Sequence, residues 1–160
     1  MRVSIAAVGR FKKGPERDIV ERYLDRARKM GGNLGLDIGS VREVPEAQSG
    51  GVGERRLAEA QALSRGFADR GVIVALDEHG EDIASTAFAE LLADLRDDGV
   101  PETVFVIGGA DGLDPTLRDR ARRTLAFGRA TWPHLLVRVL LSEQIYRATT
   151  ILAGHPYHRE

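Results

Sequence analysis

Five short runs of β-branched and small apolar residues alternate along this chain with longer segments of helical period, and this alternation narrows the fold most. The runs are Arg2–Gly9, a glycine-interrupted stretch within Leu34–Val44, Val72–Asp77, Thr103–Ile107 and Thr124–Phe127. After the first, Pro15 suits the opening turn of a helix. Ile19, Tyr23, Ala27 and Met30 then form an apolar stripe, with Val20 and Leu24 beside it, up to Gly31-Gly32. Pro45–Gly53 reads as a flexible loop, and Glu54–Phe67 as a helix with Leu57, Ala60, Leu63 and Phe67 on one side. Ser85 is placed to cap a helix carrying Phe88, Leu91, Leu92 and Leu95 and ending at Gly99. Asp114-Pro115 opens a short helix as cap and first-turn proline, and a last helix runs from about His134 to Leu152.

Strands and helices in strict turn predict an α/β fold, a mostly parallel sheet with helices on both faces. Ligands in such sheets bind beyond the carboxyl ends of the strands. The loops after Asp77, Ile107 and Phe127 are therefore where a site is expected. The last helix is apolar on nearly every side, from Leu135 to Leu152, so it needs cover on nearly every side. In a chain of 160 residues, a second copy is a plausible part of that cover.

Composition removes several chemistries. A length of 160 residues with 42% apolar and 29% charged residues suits one globular domain, 1–160. With no cysteine there is no disulfide, thiolate metal site or cysteine nucleophile. No apolar run reaches the roughly 18 residues of a membrane span. Met1-Arg2-Val3-Ser4-Ile5 leads straight into a strand without a cleavage site, so a cytoplasmic protein is expected. The net charge of −1 hides basic ends around an acidic middle: residues 1–30 hold nine Lys/Arg against four Asp/Glu, and residues 31–100 hold six against fourteen. That distribution permits an RNA partner; solvated helix faces explain it equally.

Gly108-Gly109-Ala110-Asp111-Gly112 follows a strand, and its backbone can approach a ligand closely. It has neither the Gly-Lys-Ser/Thr ending of a Walker loop nor the spacing of a dinucleotide fingerprint, and a plain turn is the competing reading. Gly128-Arg129-Ala130-Thr131-Trp132-Pro133 also follows a strand and is shaped either to cup a flat ring or simply to connect. Acid–base candidates gather near the C-terminus: His134, His155, Tyr157 and His158. Pro156 opposes a helix between the last two imidazoles and no carboxylate accompanies them, which argues against zinc. The absence of a Gly-x-Ser-x-Gly elbow argues against a serine hydrolase. Arg118, Arg120, Arg122 and Arg123, with the basic loop Arg10-Lys12-Lys13, are candidates for RNA backbone contact or for solvated charge.

Two stretches carry a resemblance: Val106–Leu113 (VIGGADGL) and Trp132–Glu160 (WPHLLVRVLLSEQIYRATTILAGHPYHRE). Together they closely resemble the RlmH family, small SPOUT-class methyltransferases of ribosomal RNA, and the likeness extends over the whole chain in length and element order. It implies a C-terminal trefoil knot, which no periodicity in the chain asks for. It also implies a homodimer that transfers a methyl group from S-adenosylmethionine to N3 of a pseudouridine in 23S rRNA within the ribosome, without a metal. Carried across residue by residue, Leu76, Gly108, Gly109 and Gly128, Arg129, Ala130, Thr131, Trp132 and Pro133 would hold the cofactor. Trp132 stands where many relatives have a smaller apolar residue. Tyr157, His158 and Arg159 would lie near the target nucleotide, with Arg147 and His134 as further catalytic candidates. His158 or Tyr157 would take the imide proton, or Arg159 would stabilise the developing charge. The alternatives are a knotted methyltransferase of another rRNA or tRNA base, and a ribosome-binding factor that has kept the fold and lost transfer.

Overall fold

A computed structural model describes residues 1–158. Five strands, β1 (Arg2–Val8), β2 (Asp37–Val44), β3 (Val72–Asp82), β4 (Glu102–Ile107) and β5 (Arg123–Ala126), form one sheet in the order β2-β1-β4-β3-β5. Every pairing is parallel. The helices are α1 (Pro15–Gly31), α2 (Val52–Ser64), α3 (Ser85–Asp97), α4 (Pro115–Asp119) and α5 (His134–Leu152).

Alternate side chains of β1 separate two cores. Val3, Ile5 and Ala7 meet α1, α3 and α5, whereas Ala6 and Val8 meet Ala60 and Leu63 of α2 and Leu117 of α4. Helices thus cover both faces, as the alternation predicts. The central strand β4 is buried from Thr103 to Ile107, which is why it reads as an unbroken apolar run rather than an alternating one. Phe105 stacks on Phe88 of α3 at 5.4 Å between centroids, anchoring that helix to the middle of the sheet.

Several boundaries differ from the sequence reading, each for a local reason. Val72–Asp77 is only the first part of β3. The strand leaves its partner after Leu76, loops out through Asp77–Gly80, and re-pairs Glu81 and Asp82 with Leu125 and Ala126 of β5. That continuation is polar, so a search for apolar runs stops short of it. Ser85 does not cap α3; Ala84 holds the cap position, and the Ser85 hydroxyl donates to Gln144 Oε1 on α5 at 2.8 Å. A tertiary partner has displaced the local one. The α2 helix starts at Val52, where the Glu54 carboxylate accepts from the Gly51 N–H at 2.8 Å, and it ends at Ser64, short of Phe67. Leu57 is 44% exposed rather than part of the inner face. Leu34 belongs to a single 3₁₀ turn, and β2 begins only at Asp37. The last strand lies one residue earlier than read, and Asp114 caps α4 as expected, accepting from Thr116 N–H at 2.9 Å.

After β5, at one edge of the sheet, the chain returns across the carboxyl ends of the strands and begins α5 beside the end of β1. His134 and Arg138 lie next to Gly9 there. The three loops that follow β3, β4 and β5 all lie at this end.

Candidate functional site

The glycine loop after β4 folds on itself so tightly that side chains are excluded. Gly109 and Gly112 form an antiparallel bridge. A Cβ on Gly108 would stand 2.7 Å from the Gly112 carbonyl carbon and 2.8 Å from Leu113 N. One on Gly109 would meet Val8 Cγ1 at 2.9 Å. The loop is clamped from α2, by residues to which the sequence reading gave no role. Arg55 Nε bonds Asp111 Oδ2 at 2.7 Å, and Arg56 Nε donates to the Asp111 carbonyl at 2.5 Å. The Arg55 guanidinium holds the Asp111 carboxyl below its usual range.

Leu76 is buried at the end of the regular part of β3, in register with Ile107 and Leu125, so its backbone sits level with both neighbouring loops. The excursion Asp77–Gly80 then turns on Asp77, which accepts from the His79 N–H at 3.0 Å and faces Arg118 at 3.6 Å. Burial would raise the Asp77 pKa; hydrogen bonds from His79 and the Arg118 charge outweigh it and leave the carboxyl below its ordinary value. Glu78 accepts from the Thr131 hydroxyl at 2.9 Å, tying the β3 loop to the loop after β5. From Gly128 to Pro133 that loop is largely open to solvent. The Trp132 indole N–H donates to the Phe127 carbonyl at 2.9 Å, which fixes the ring while leaving it 44% exposed. Leu76, Gly108, Gly109 and Gly128–Pro133 thus converge at the carboxyl end of the sheet.

The acid–base candidates divide into two groups, one at the start of α5 and one where its second half meets the tail after Leu152. His134 lies at the helix start, its Nε2 3.7 Å from Glu46 Oε1, and burial followed by the Arg138 charge lowers its pKa. Arg138, one turn on, is fully buried although it stands in an apolar run. Its guanidinium donates to the Val8 carbonyl, to the Gly9 carbonyl at 2.9 Å and to Glu43 Oε1 at 3.0 Å, and lies 4.7 Å from the Phe11 ring centroid. Glu43 also accepts from the Phe11 N–H at 2.9 Å. This hub joins the start of α5 to the ends of β1 and β2.

The second group lies at the other end of α5. Glu143 Oε1 accepts from Arg147 Nε at 3.0 Å, Arg147 Nη2 at 2.5 Å and the Tyr157 hydroxyl at 3.1 Å. The Tyr157 ring packs on Tyr146 at 4.8 Å and under the Arg147 guanidinium at 5.0 Å, so the tail is docked as far as it is described. His158 Nδ1 is 3.4 Å from Arg147 Nη1. Burial, a hydrogen bond with Tyr23 and the Glu143 charge push the Tyr157 pKa well up, so this phenol keeps its proton at neutral pH. Arg159 lies outside the described residues. The structure therefore brings Tyr157 and Arg147 together on Glu143, with His158 beside Arg147, and leaves His134 elsewhere: thirteen helical steps separate His134 from Arg147, about 20 Å.

Two of the arginines considered for RNA contact are already paired, Arg118 with Asp77 and Arg123 with Glu81 at 2.9 Å. Among the described residues no group of three His, Asp or Glu side chains is placed to hold a metal ion. No described helix is long and apolar enough to cross a membrane.

The family model "Predicted SPOUT methyltransferase" matches residues 1–158. A protein of Bradyrhizobium diazoefficiens and one of Rhizobium etli, both named ribosomal RNA large subunit methyltransferase H, are each 52% identical to the chain over 159 residues, covering 99% of both sequences. The same-named protein of Agrobacterium fabrum is 51% identical over the same length. A solved structure of a probable methylase family protein from Haemophilus influenzae superposes with a TM-score of 0.52 over 99% of this chain and 70% of that one; at 10% identity the likeness is one of fold.

Proposed function

The chain belongs to the SPOUT methyltransferase family, and on that premise we propose that residues 1–160 form one domain that methylates N3 of a pseudouridine in 23S ribosomal RNA, with S-adenosylmethionine as donor, on assembled ribosomes in the cytoplasm. Full-length identity of about one half to relatives named for the ribosomal RNA large subunit supports the substrate class. The segment from β5 to α5 crosses the strand ends as a trefoil-knotted cofactor site requires.

The observation that carries the reading is the pairing of two half-sites of different chemistry. At one, Gly108 and Gly109 let the loop after β4 fold tightly on itself at the carboxyl end of the sheet, where no side chain stands between its backbone and a ligand. At the other, an arginine and a phenol share one carboxylate, and an imidazole lies against the arginine. S-adenosylmethionine supplies a methyl group already activated on sulfur, so the residues need only align the acceptor and manage one proton. Tyr157, held protonated, donates a hydrogen bond and does not serve as base. His158 accepts the N3 proton at Nε2, the ring nitrogen that does not face Arg147, and Arg147 stabilises the imide charge that develops. The length of α5 between the half-sites favours a homodimer in which the tail of one subunit faces the cofactor loops of the other.

Purified protein is incubated with methyl-labelled donor and, separately, ribosomes from cells lacking the activity, protein-free rRNA and transfer RNA. Label in ribosomal large-subunit RNA alone is expected. Label in transfer RNA would move the activity to another acceptor, and no label despite donor binding would favour a binding factor.

A further inference from the structure

Among the described residues, Glu59 Oε2 and Arg138 Nε are the buried side-chain atoms without a hydrogen-bond partner. Arg138 satisfies its remaining nitrogens on Val8, Gly9 and Glu43. Glu59 is different, because a desolvated carboxylate oxygen without a donor is costly and its presence calls for an explanation. The residue is 6% exposed on the inner side of α2. Its Oε1 accepts from the Ala47 N–H at 2.9 Å, while Oε2 lies 3.3 Å from the position a Cβ on Gly109 would take. The unpartnered oxygen therefore lies buried against the backbone of the glycine loop at Gly109.

Nearby cations do not answer it. Arg55 and Arg56 are bonded to Asp111, and Arg138 to Glu43. Burial and the Arg138 charge favour the neutral form of His134. Glu46, beside Gly9, adds a second carboxylate. A cationic N–H donor is what this place lacks.

We propose that Glu59 forms the subsite for the α-ammonium group of the methyl donor, receiving an N–H at Oε2 beside Gly109; this rests on the donor reading above. The sulfonium centre carries no N–H and cannot fill the role, whereas the ammonium offers three.

Calorimetry on the full chain tests it with S-adenosylmethionine, S-adenosylhomocysteine and methylthioadenosine, which lacks the amino-acid moiety. Glu59→Gln keeps the acceptor for Ala47 and removes the charge. Expected is a loss of at least about tenfold in affinity for the first two ligands with methylthioadenosine unchanged, the scale of one charge-assisted hydrogen bond. An equal loss for all three would show that Glu59 merely supports the loop, and no loss would remove it from the site; either overturns the proposal. If the variant does not fold, wild-type protein is titrated with S-adenosylhomocysteine lacking only its amino group, and undiminished binding overturns the proposal. Wild-type protein that binds none of these ligands would instead refute the donor reading itself.

Discussion

Arg138→Met removes the guanidinium that joins three elements while keeping a side chain of comparable apolar bulk. The Val8 and Gly9 carbonyls and Glu43 Oε1 each lose a donor. A buried acceptor left without a partner costs about 1–3 kcal/mol, and breaking a buried ion pair from one side costs about 3–5 kcal/mol. Two features reduce the sum. Burial already disfavours the Arg138 charge, lowering its pKa, so the variant recovers desolvation energy. Glu43 is partly open and keeps the Phe11 N–H. A net loss of about 3 kcal/mol follows, equivalent to a Tm lower by roughly 6–12 °C for a chain of this size. Thermal unfolding by circular dichroism at fixed protein concentration measures it, since association shifts Tm by mass action. Glu43→Gln, which keeps a neutral acceptor, should fall between wild type and Arg138→Met. An Arg138→Met variant as stable as wild type would refute the reasoning, because the hub would then contribute no more than its apolar stem.

Gly108→Ala forces a Cβ against the backbone of Gly112 and Leu113, so it should cost about 1–3 kcal/mol and weaken donor binding. Gly53→Ala, in open space on α2, should be neutral or stabilising in the same melts. The lowered His134 pKa means the unfolded chain binds more protons as pH falls below 6.5, so stability drops in that window. Replacing His134 with Gln should flatten this limb, while the loss below pH 3.8 tied to Asp77 and Asp111 remains; denaturant melts across pH read both. If the tail of one subunit serves the loops of the other, mixing inactive Tyr157→Ala and Gly108→Ala proteins should restore part of the activity. Subunits that contain their whole site would regain none.

Much of this architecture was legible because parallel strands covered on both faces announce themselves as apolar runs, and β4 is such a strand from Thr103 to Ile107. What escaped was polar and tertiary. The continuation of β3 through Glu81 and Asp82 is held by backbone pairing to β5, which leaves no mark in hydropathy. Ser85 satisfied every local rule for a cap and was taken by Gln144. The glycine-rich loops at the carboxyl end of the sheet were legible in the sequence, but the part played by Arg55, Arg56 and Glu59 beside them was not. They stand on a helix whose partner loop is about fifty residues away, and only the fold brings them together. Arg138 offered a signal in retrospect, a single charge within LLVRVLL that water cannot reach and a carboxylate must answer. Glu143 lay inside a recognised stretch, yet its role emerged only when Arg147 and Tyr157 were seen to share one of its oxygens.

The most direct test of methylation at pseudouridine N3 compares two ribosome preparations from cells lacking this activity, one normally pseudouridylated and one without pseudouridine. Each is incubated with the protein and methyl-labelled S-adenosylmethionine, and digested large-subunit RNA is examined by nucleoside mass spectrometry. The account predicts a single N3-methylated pseudouridine in the first and a much reduced yield in the second. Equal labelling of both, or a methyl group on another base, would contradict it.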